Sequence, residues 1–159
     1  MKKEELKLRG ILTLETIKHG KVIEKEIIKN TITNVGKADA IGRIGGLGSI
    51  VAYQWLAIGN SSTSVVSSDT KLTGEFTAPT SLDRAAGTGS QVTENVTNDT
   101  LQLVKTFINN SSSVATVKEA GIFNTSTQDT ANALGRQTFG GKTLEEDVEL
   151  RVTYKVTIA

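Results

Sequence analysis

The chain has no cysteine and a single histidine, His19. Disulfide stapling, thiolate nucleophiles and sulfur-ligated zinc are thereby excluded, and so is a metal site built on several imidazoles. Aromatic residues make up 4% of the chain, thin for a surface that stacks sugar rings or bases. No apolar run approaches the roughly 20 residues of a membrane-spanning helix, and the mean hydropathy is −0.15. Charge of one sign is also missing: 18 Lys and Arg stand against 17 Asp and Glu, a formal net charge of +1. Neither a nucleic-acid partner nor a membrane partner is expected from such a balance. The segment Met1-Lys2-Lys3-Glu4-Glu5-Leu6-Lys7 lacks the apolar centre of a secretory signal, so synthesis in a cytoplasm is the expectation.

What the chain does have is alternation. Val148, Leu150, Val152, Tyr154, Val156 and Ile158 are apolar, and Glu149, Arg151, Thr153, Lys155 and Thr157 lie between them. Period two predicts a strand with one buried face. Upstream, Leu6, Leu8, Ile11 and Leu14 sit in a first extended stretch, and Lys18-His19-Gly20-Lys21 reads as a turn. A second strand follows over residues 22–32, with Glu24, Lys25, Glu26 and Lys29 at its wet positions. The two form a hairpin with His19 at the exposed tip.

Asn34-Val35-Gly36 breaks the pattern, and residues 37–44 then carry Ala38, Ala40, Ile41 and Ile44 at helical spacing. One short helix is predicted, packed across an open end of the sheet and ended by Gly45, Gly46 and Gly48. The Gly42-Arg43-Ile44-Gly45-Gly46 run lacks the Lys-Ser/Thr and the strand-loop-helix order of a phosphate loop. A strand is predicted over 51–58, with Trp55 as a core anchor. Residues 61–89 read as a polar loop, with one helical turn at Asp69-Thr70-Lys71-Leu72. That length suggests a partner that orders it. Further strands are expected over 90–96, 100–108, 114–124 with a kink at Gly121, and 133–139. Gly140-Gly141 lead from the last of these into the closing strand.

The count is about eight strands and one helix. An all-β, antiparallel β-sandwich or jelly-roll-like domain is predicted over residues 30–159, preceded by a hairpin or assembly arm over 1–29. With 159 residues and 37% apolar content, one domain with a real core is expected.

Catalysis needs a constellation of groups. The carboxylates of Glu24 and Glu26 alternate along a wet strand face, and Glu145, Glu146 and Asp147 precede the last strand in a loop. Neither set is placed across a cleft. No enzyme activity, cofactor or metal is expected. Sequons at Asn60, Asn95, Asn98, Asn110 and Asn124 are read as accidents of a chain rich in Asn, Ser and Thr.

An ordered set of short motifs remains. It comprises Ile32-Thr33-Asn34 with Gly36, then Leu56-Ala57-Ile58-Gly59, then Asp69-Thr70 with Leu72 and Glu75, then Arg84. After these come the central strand of residues 103–107, Glu119-Ala120-Gly121-Ile122-Phe123, and Arg136-Gln137-Thr138-Phe139. Over residues 32–158 this order resembles small β-rich virion structural proteins of tailed bacteriophages and tailed archaeal viruses. The resemblance implies a non-enzymatic virion protein, foremost a capsid decoration or cement subunit. A tail-tube, connector or fibre subunit is the alternative, and a cellular filament subunit a more distant one. It implies a homo-oligomer that touches other virion proteins such as the major capsid protein. Glu75, Arg84, Glu119 and Arg136 recur at its motifs, and with Trp55 and Tyr154 they are the expected structural and assembly residues. An Arg can fork onto a carboxylate and tie a loop to a strand, and a Glu119–Arg136 pair across adjacent strands is expected.

Overall fold

A computed structural model describes residues 7–47, 51–78, 80–130 and 132–158. Gly48 lies outside the described residues, as does part of the 1–29 segment. The strands are β1 (Leu8–Lys18), β2 (Lys21–Ile32), β3 (Trp55–Gly59), β4 (Ala85–Ala86), β5 (Thr88–Val92), β6 (Thr100–Ile108), β7 (Ala115–Phe123), β8 (Ala133–Leu144) and β9 (Glu149–Ile158). One helix, α1 (Asn34–Ile44), follows β2. The fold is all-β and antiparallel with one short helix, as the alternation predicts.

All strands belong to one sheet in the order β4-β3-β7-β8-β2-β1-β9-β6-β5. The hairpin β1–β2 lies at its centre, flanked by β9 and β8. The two ends of the sheet come from a single stretch. Residues 85 and 86 pair with β3, and residues 88–92 pair with β6. Between them the Gly87 amide donates to the Gln54 carbonyl at 2.9 Å. That stretch nearly closes the sheet into a barrel. β2 makes the opposite corner: it pairs with β1 as far as Asn30, then with β8 through Thr31 and Ile32.

The closing strand does what its alternation requires. Leu150, Val152, Tyr154 and Val156 point inward, joined by Leu12 and Leu14 of β1, Leu103 and Phe107 of β6, and Leu56 and Ile58 of β3. β1 pairs with β9 over its whole length, from Leu8↔Ile158 to Ile17↔Glu149. The expected boundary at residue 29 therefore has no counterpart in the described residues. The segment read as a possible arm supplies a central strand, because Leu12 and Leu14 are as apolar and as buried as the core they join.

Several boundaries shift for local reasons. The helix starts a turn earlier than its apolar spacing suggests. Thr33 caps it, accepting the Gly36 amide at 2.9 Å while its hydroxyl donates to the Ala133 carbonyl. Its apolar stripe does not pack down: Ile41 is 61% exposed and Ile44 71%. β3 is shorter than predicted, and Leu56, Ala57 and Ile58 are all buried, so both its faces are covered. β8 runs on through Gly140 and Gly141 to Leu144, with extra residues looped out opposite Lys118 of β7. Gly121 sits in regular register, with irregularities on either side of it and no kink of its own. A methyl there would stand 2.9 Å from Leu72 Cδ2, so the residue is small to let the loop lie on the sheet. Asp69 to Leu72 form no helical turn, and Leu72 is fully buried.

Candidate functional site

The long loop between β3 and β4 lies across the outer face of β3, β7 and β8. Beneath it Ala57, Leu72, Phe123 and Ala133 form a second, small core, with Trp55 packed half-buried at its margin. Trp55 therefore anchors the edge of this lesser cluster and not the barrel interior.

Buried charge fixes the loop in place. Arg136 of β8 donates through Nε to Glu119 Oε2 of β7 at 2.8 Å, through Nη1 to Asp69 Oδ2 at 2.8 Å, and through Nη2 to the Thr63 carbonyl at 3.0 Å. Glu119 in turn accepts the Gly74 amide at 2.6 Å and the Thr73 amide at 3.2 Å. Arg84 forks onto Glu75, with Nε and Nη2 each 2.8 Å from a carboxylate oxygen, and its third nitrogen reaches the Thr125 carbonyl. The Arg84 guanidinium also lies 3.7 Å over the Phe123 ring. The side chains of Arg84, Glu75, Arg136 and Glu119 are at most 1% exposed. Ions held so far from water are tolerable only when each donor and acceptor is matched, as here.

Four of the six sequence-nominated residues thus meet as two clamps on one loop, and Trp55 borders the same cluster. The loop is ordered by its own chain, which replaces the expectation that a partner must order it. Tyr154 stands apart. It is fully buried in the barrel, and its hydroxyl donates to Asn30 Oδ1 at 2.5 Å. Burial holds this phenol well above its ordinary pKa, against the opposing pull of the Arg136 charge.

Sequence reasoning missed several participants. Asp69 was visible only as part of a motif. Lys142 gave no signal, yet it is buried and holds both Glu24 (2.5 Å) and Glu26 (2.6 Å) where β2 and β8 part. Burial alone would lower its pKa, but the two carboxylates outweigh that and raise it. The positions read as wet are therefore half of an ion-pair network. Thr33, a Thr directly before a helical pattern, was a legible cap.

Two surfaces at opposite ends of the barrel complete the description. A groove of about 680 Å³ opens beside the β6–β7 turn, lined by small polar residues including Asn60, Ser81, Asn110 and Ser113, with Phe76 and Lys118. At the other end a cleft of about 570 Å³ runs between α1 and the ends of β1 and β9. Its walls are Leu8, Ala40, Ile41, Ile44 and Ile158, and Arg9, Lys37 and Arg43 border it. Arg43 donates to the Val51 carbonyl and lies 5.2 Å over the Tyr53 ring. Tyr53 donates to Asp39 Oδ2 at 2.6 Å, and burial followed by that carboxylate raises its pKa. His19 sits exposed at the hairpin tip with φ 51°. Among the described residues no group of three or more His, Asp or Glu is placed to hold a metal, and no helix is long and apolar enough to cross a membrane.

No family model, curated protein or solved structure matches the chain, and none links it to virion proteins.

Proposed function

We propose that the chain is a non-enzymatic structural subunit of a virion, a capsid decoration or cement protein that acts as one of many copies. The observation that carries this reading is the pair of buried clamps. Arg84–Glu75 and Arg136–Glu119–Asp69 hold the longest loop flat on a nearly closed barrel. The ionisable groups drawn inside are committed to one another, so their work is to hold shape. A rigid body whose long polar loop is pinned suits a part placed repeatedly in a lattice, where many weak contacts act together. The ordered motifs that resemble small virion proteins support the same reading. The major capsid protein is then the natural neighbour.

A tail-tube, connector or fibre position is the second reading. It is favoured by the unlike chemistry of the barrel's two ends, apolar and cationic at α1 and carboxylate-bearing at the β8–β9 loop. Immuno-electron microscopy of native particles tests both. Label at regular sites over the capsid supports the decoration reading, and label confined to the tail supports the second. Particles that lack the protein overturn both.

A further inference from the structure

The cleft beside α1 is walled by exposed apolar side chains. Ile41 and Ile44 are 61% and 71% exposed, and Ile158 on the facing wall is 48% exposed. Contiguous exposed apolar surface of this kind marks a contact site. Its charges have one sign: Arg9, Lys37 and Arg43 border it, and no carboxylate lines it among the described residues. Asp39, the nearest acidic residue on α1, is engaged by the Tyr53 hydroxyl. Arg9 and Lys37 have no ion-pair partner among the described residues. The occupant must be apolar at its centre and acidic at its margin.

The same chain presents that surface at its other end. β9 begins at the loop Glu145-Glu146-Asp147 and ends at Ile158 in the cleft, so about 30 Å of strand separates the two. All three loop carboxylates are exposed. Lys18 takes Glu145 at 2.7 Å, while Glu146 and Asp147 have no ion-pair partner among the described residues. Apolar side chains stand beside them. Asp147 donates its amide to the Asn109 carbonyl, next to Ile108, which is 39% exposed. Leu144 pairs with Ala115, next to Val114, which is 61% exposed.

We infer that the cleft of one copy receives the β8–β9 loop of a second copy. Glu146 and Asp147 then face Arg9 and Lys37, and Val114 and Ile108 meet the apolar walls. The contact joins unlike surfaces, so each subunit keeps one free cleft and one free loop. It is heterologous and builds rings or open stacks rather than closed twofold dimers. It is a property of the isolated chain and does not depend on a virion location.

The test uses two full-length variants. R9E/K37E reverses the cleft and E146K/D147K reverses the loop. All four side chains are exposed, so circular dichroism and melting temperature stay at the wild-type values. In sedimentation velocity, wild type associates with rising concentration at low salt and less so in 1 M salt, where screening length falls to about 3 Å. Each variant alone associates about ten-fold more weakly or not at all, because like charges then face each other. Mixed one to one, they co-associate in alternation, since the intact loop of the first fits the intact cleft of the second and the reversed cleft of the first fits the reversed loop of the second. The quadruple variant, with both ends exchanged, associates with itself again. Should a reversal unfold the protein, I41S/I44S removes the apolar contact without changing charge and gives the same loss. Wild type that stays monomeric at its highest soluble concentration in low salt overturns the inference. So does a variant that self-associates as wild type does, or a mixture that stays monomeric. Native mass spectrometry showing the cleft of monomeric wild type filled by a co-purifying lipid or peptide overturns it as well.

Discussion

Tyr154 and Asn30 meet inside the barrel, the hydroxyl of one donating to the amide oxygen of the other at 2.5 Å, at the corner where β2 leaves β1 and joins β8. Asn30 Nδ2 has no hydrogen-bond partner among the described residues. A methyl on Gly135 would stand 2.4 Å from that nitrogen, so the corner is full. The Tyr154→Phe variant leaves the second polar atom of Asn30 unmatched as well. A loss of about 1–3 kcal/mol in unfolding free energy is expected, measured by urea denaturation. Gly135→Ala, which must displace Asn30, is expected to cost at least as much. A Tyr154→Phe midpoint equal to wild type would show that the bond does not contribute.

The same phenol gives a pH dependence. Tyr154 and Tyr53 both have raised folded pKa values, and Lys142 is raised too. Their contribution to stability is complete below the unfolded values, about 10 for Tyr and about 10.4 for Lys. Above that range the unfolded chain gives up protons that the folded chain keeps, so stability falls as pH rises. Denaturation curves taken at increasing pH above 10 are expected to shift to lower urea, and Y53F/Y154F is expected to fall less steeply.

The clamps separate single from paired loss. Glu119→Leu leaves Arg136 buried with one ionised partner fewer, and a cost of about 3–5 kcal/mol is expected. Arg136→Leu should cost a similar amount, by stranding Glu119. Combined as E119L/R136L, the two losses are expected to add to much less than their sum, because the one carboxylate then left without its counter-ion, Asp69, is partly open to water. Strict additivity in the cycle would mean that the pair is not coupled. Arg84→Lys loses the fork on Glu75 and the stack on Phe123. Faster proteolysis within residues 60–84 is the expected readout.

Where pattern carried the information, the sequence was legible. Period two located β6 and β9, and the extended stretches on either side of the Lys18-His19-Gly20-Lys21 turn located β1 and β2. The Glu119–Arg136 contact was legible as chemistry, since a carboxylate and an Arg on neighbouring strands have few better partners. Long-range closure was not legible. Residues 85–89 are small with no alternation, and only their position between β3 and β6 makes them strand, whereas residues 90–92 fall within the strand expected over 90–96. The Glu24, Glu26 and Lys142 network escaped for the same reason: the partners are far apart in sequence and meet only where two strands part. The exposed stripe on α1 misled because helical spacing reports an apolar face without saying what covers it.

The inward face of β9 gives the plainest packing test. Val152 is fully buried against the core, whereas Thr153 faces outward beside Thr13 and Val104. Val152→Ala is expected to cost about 1–3 kcal/mol through lost burial and the cavity left behind. Thr153→Ala is expected within about 0.5 kcal/mol of wild type. Equal effects at the two positions would contradict the strand's facing.

The central hairpin decides how the chain folds. β1 holds hydrogen-bonded registers with both β2 and β9, and it supplies Leu12 and Leu14 to the core. Removing residues 1–29 takes away β1 and most of β2, leaving β9 with an unpaired edge and the barrel interior open. An exposed edge beside exposed core surface promotes aggregation as well as unfolding. The truncated chain is therefore expected to lack a cooperative unfolding transition and to precipitate or expose apolar dye-binding surface. Adding the missing segment back as a separate peptide of residues 1–29 is expected to restore part of the transition, because the ladder and the core face are both waiting for it. A truncated chain that melts cooperatively near the wild-type temperature would mean that residues 30–159 form a complete domain. β1 would then be an added strand and not the middle of the sheet.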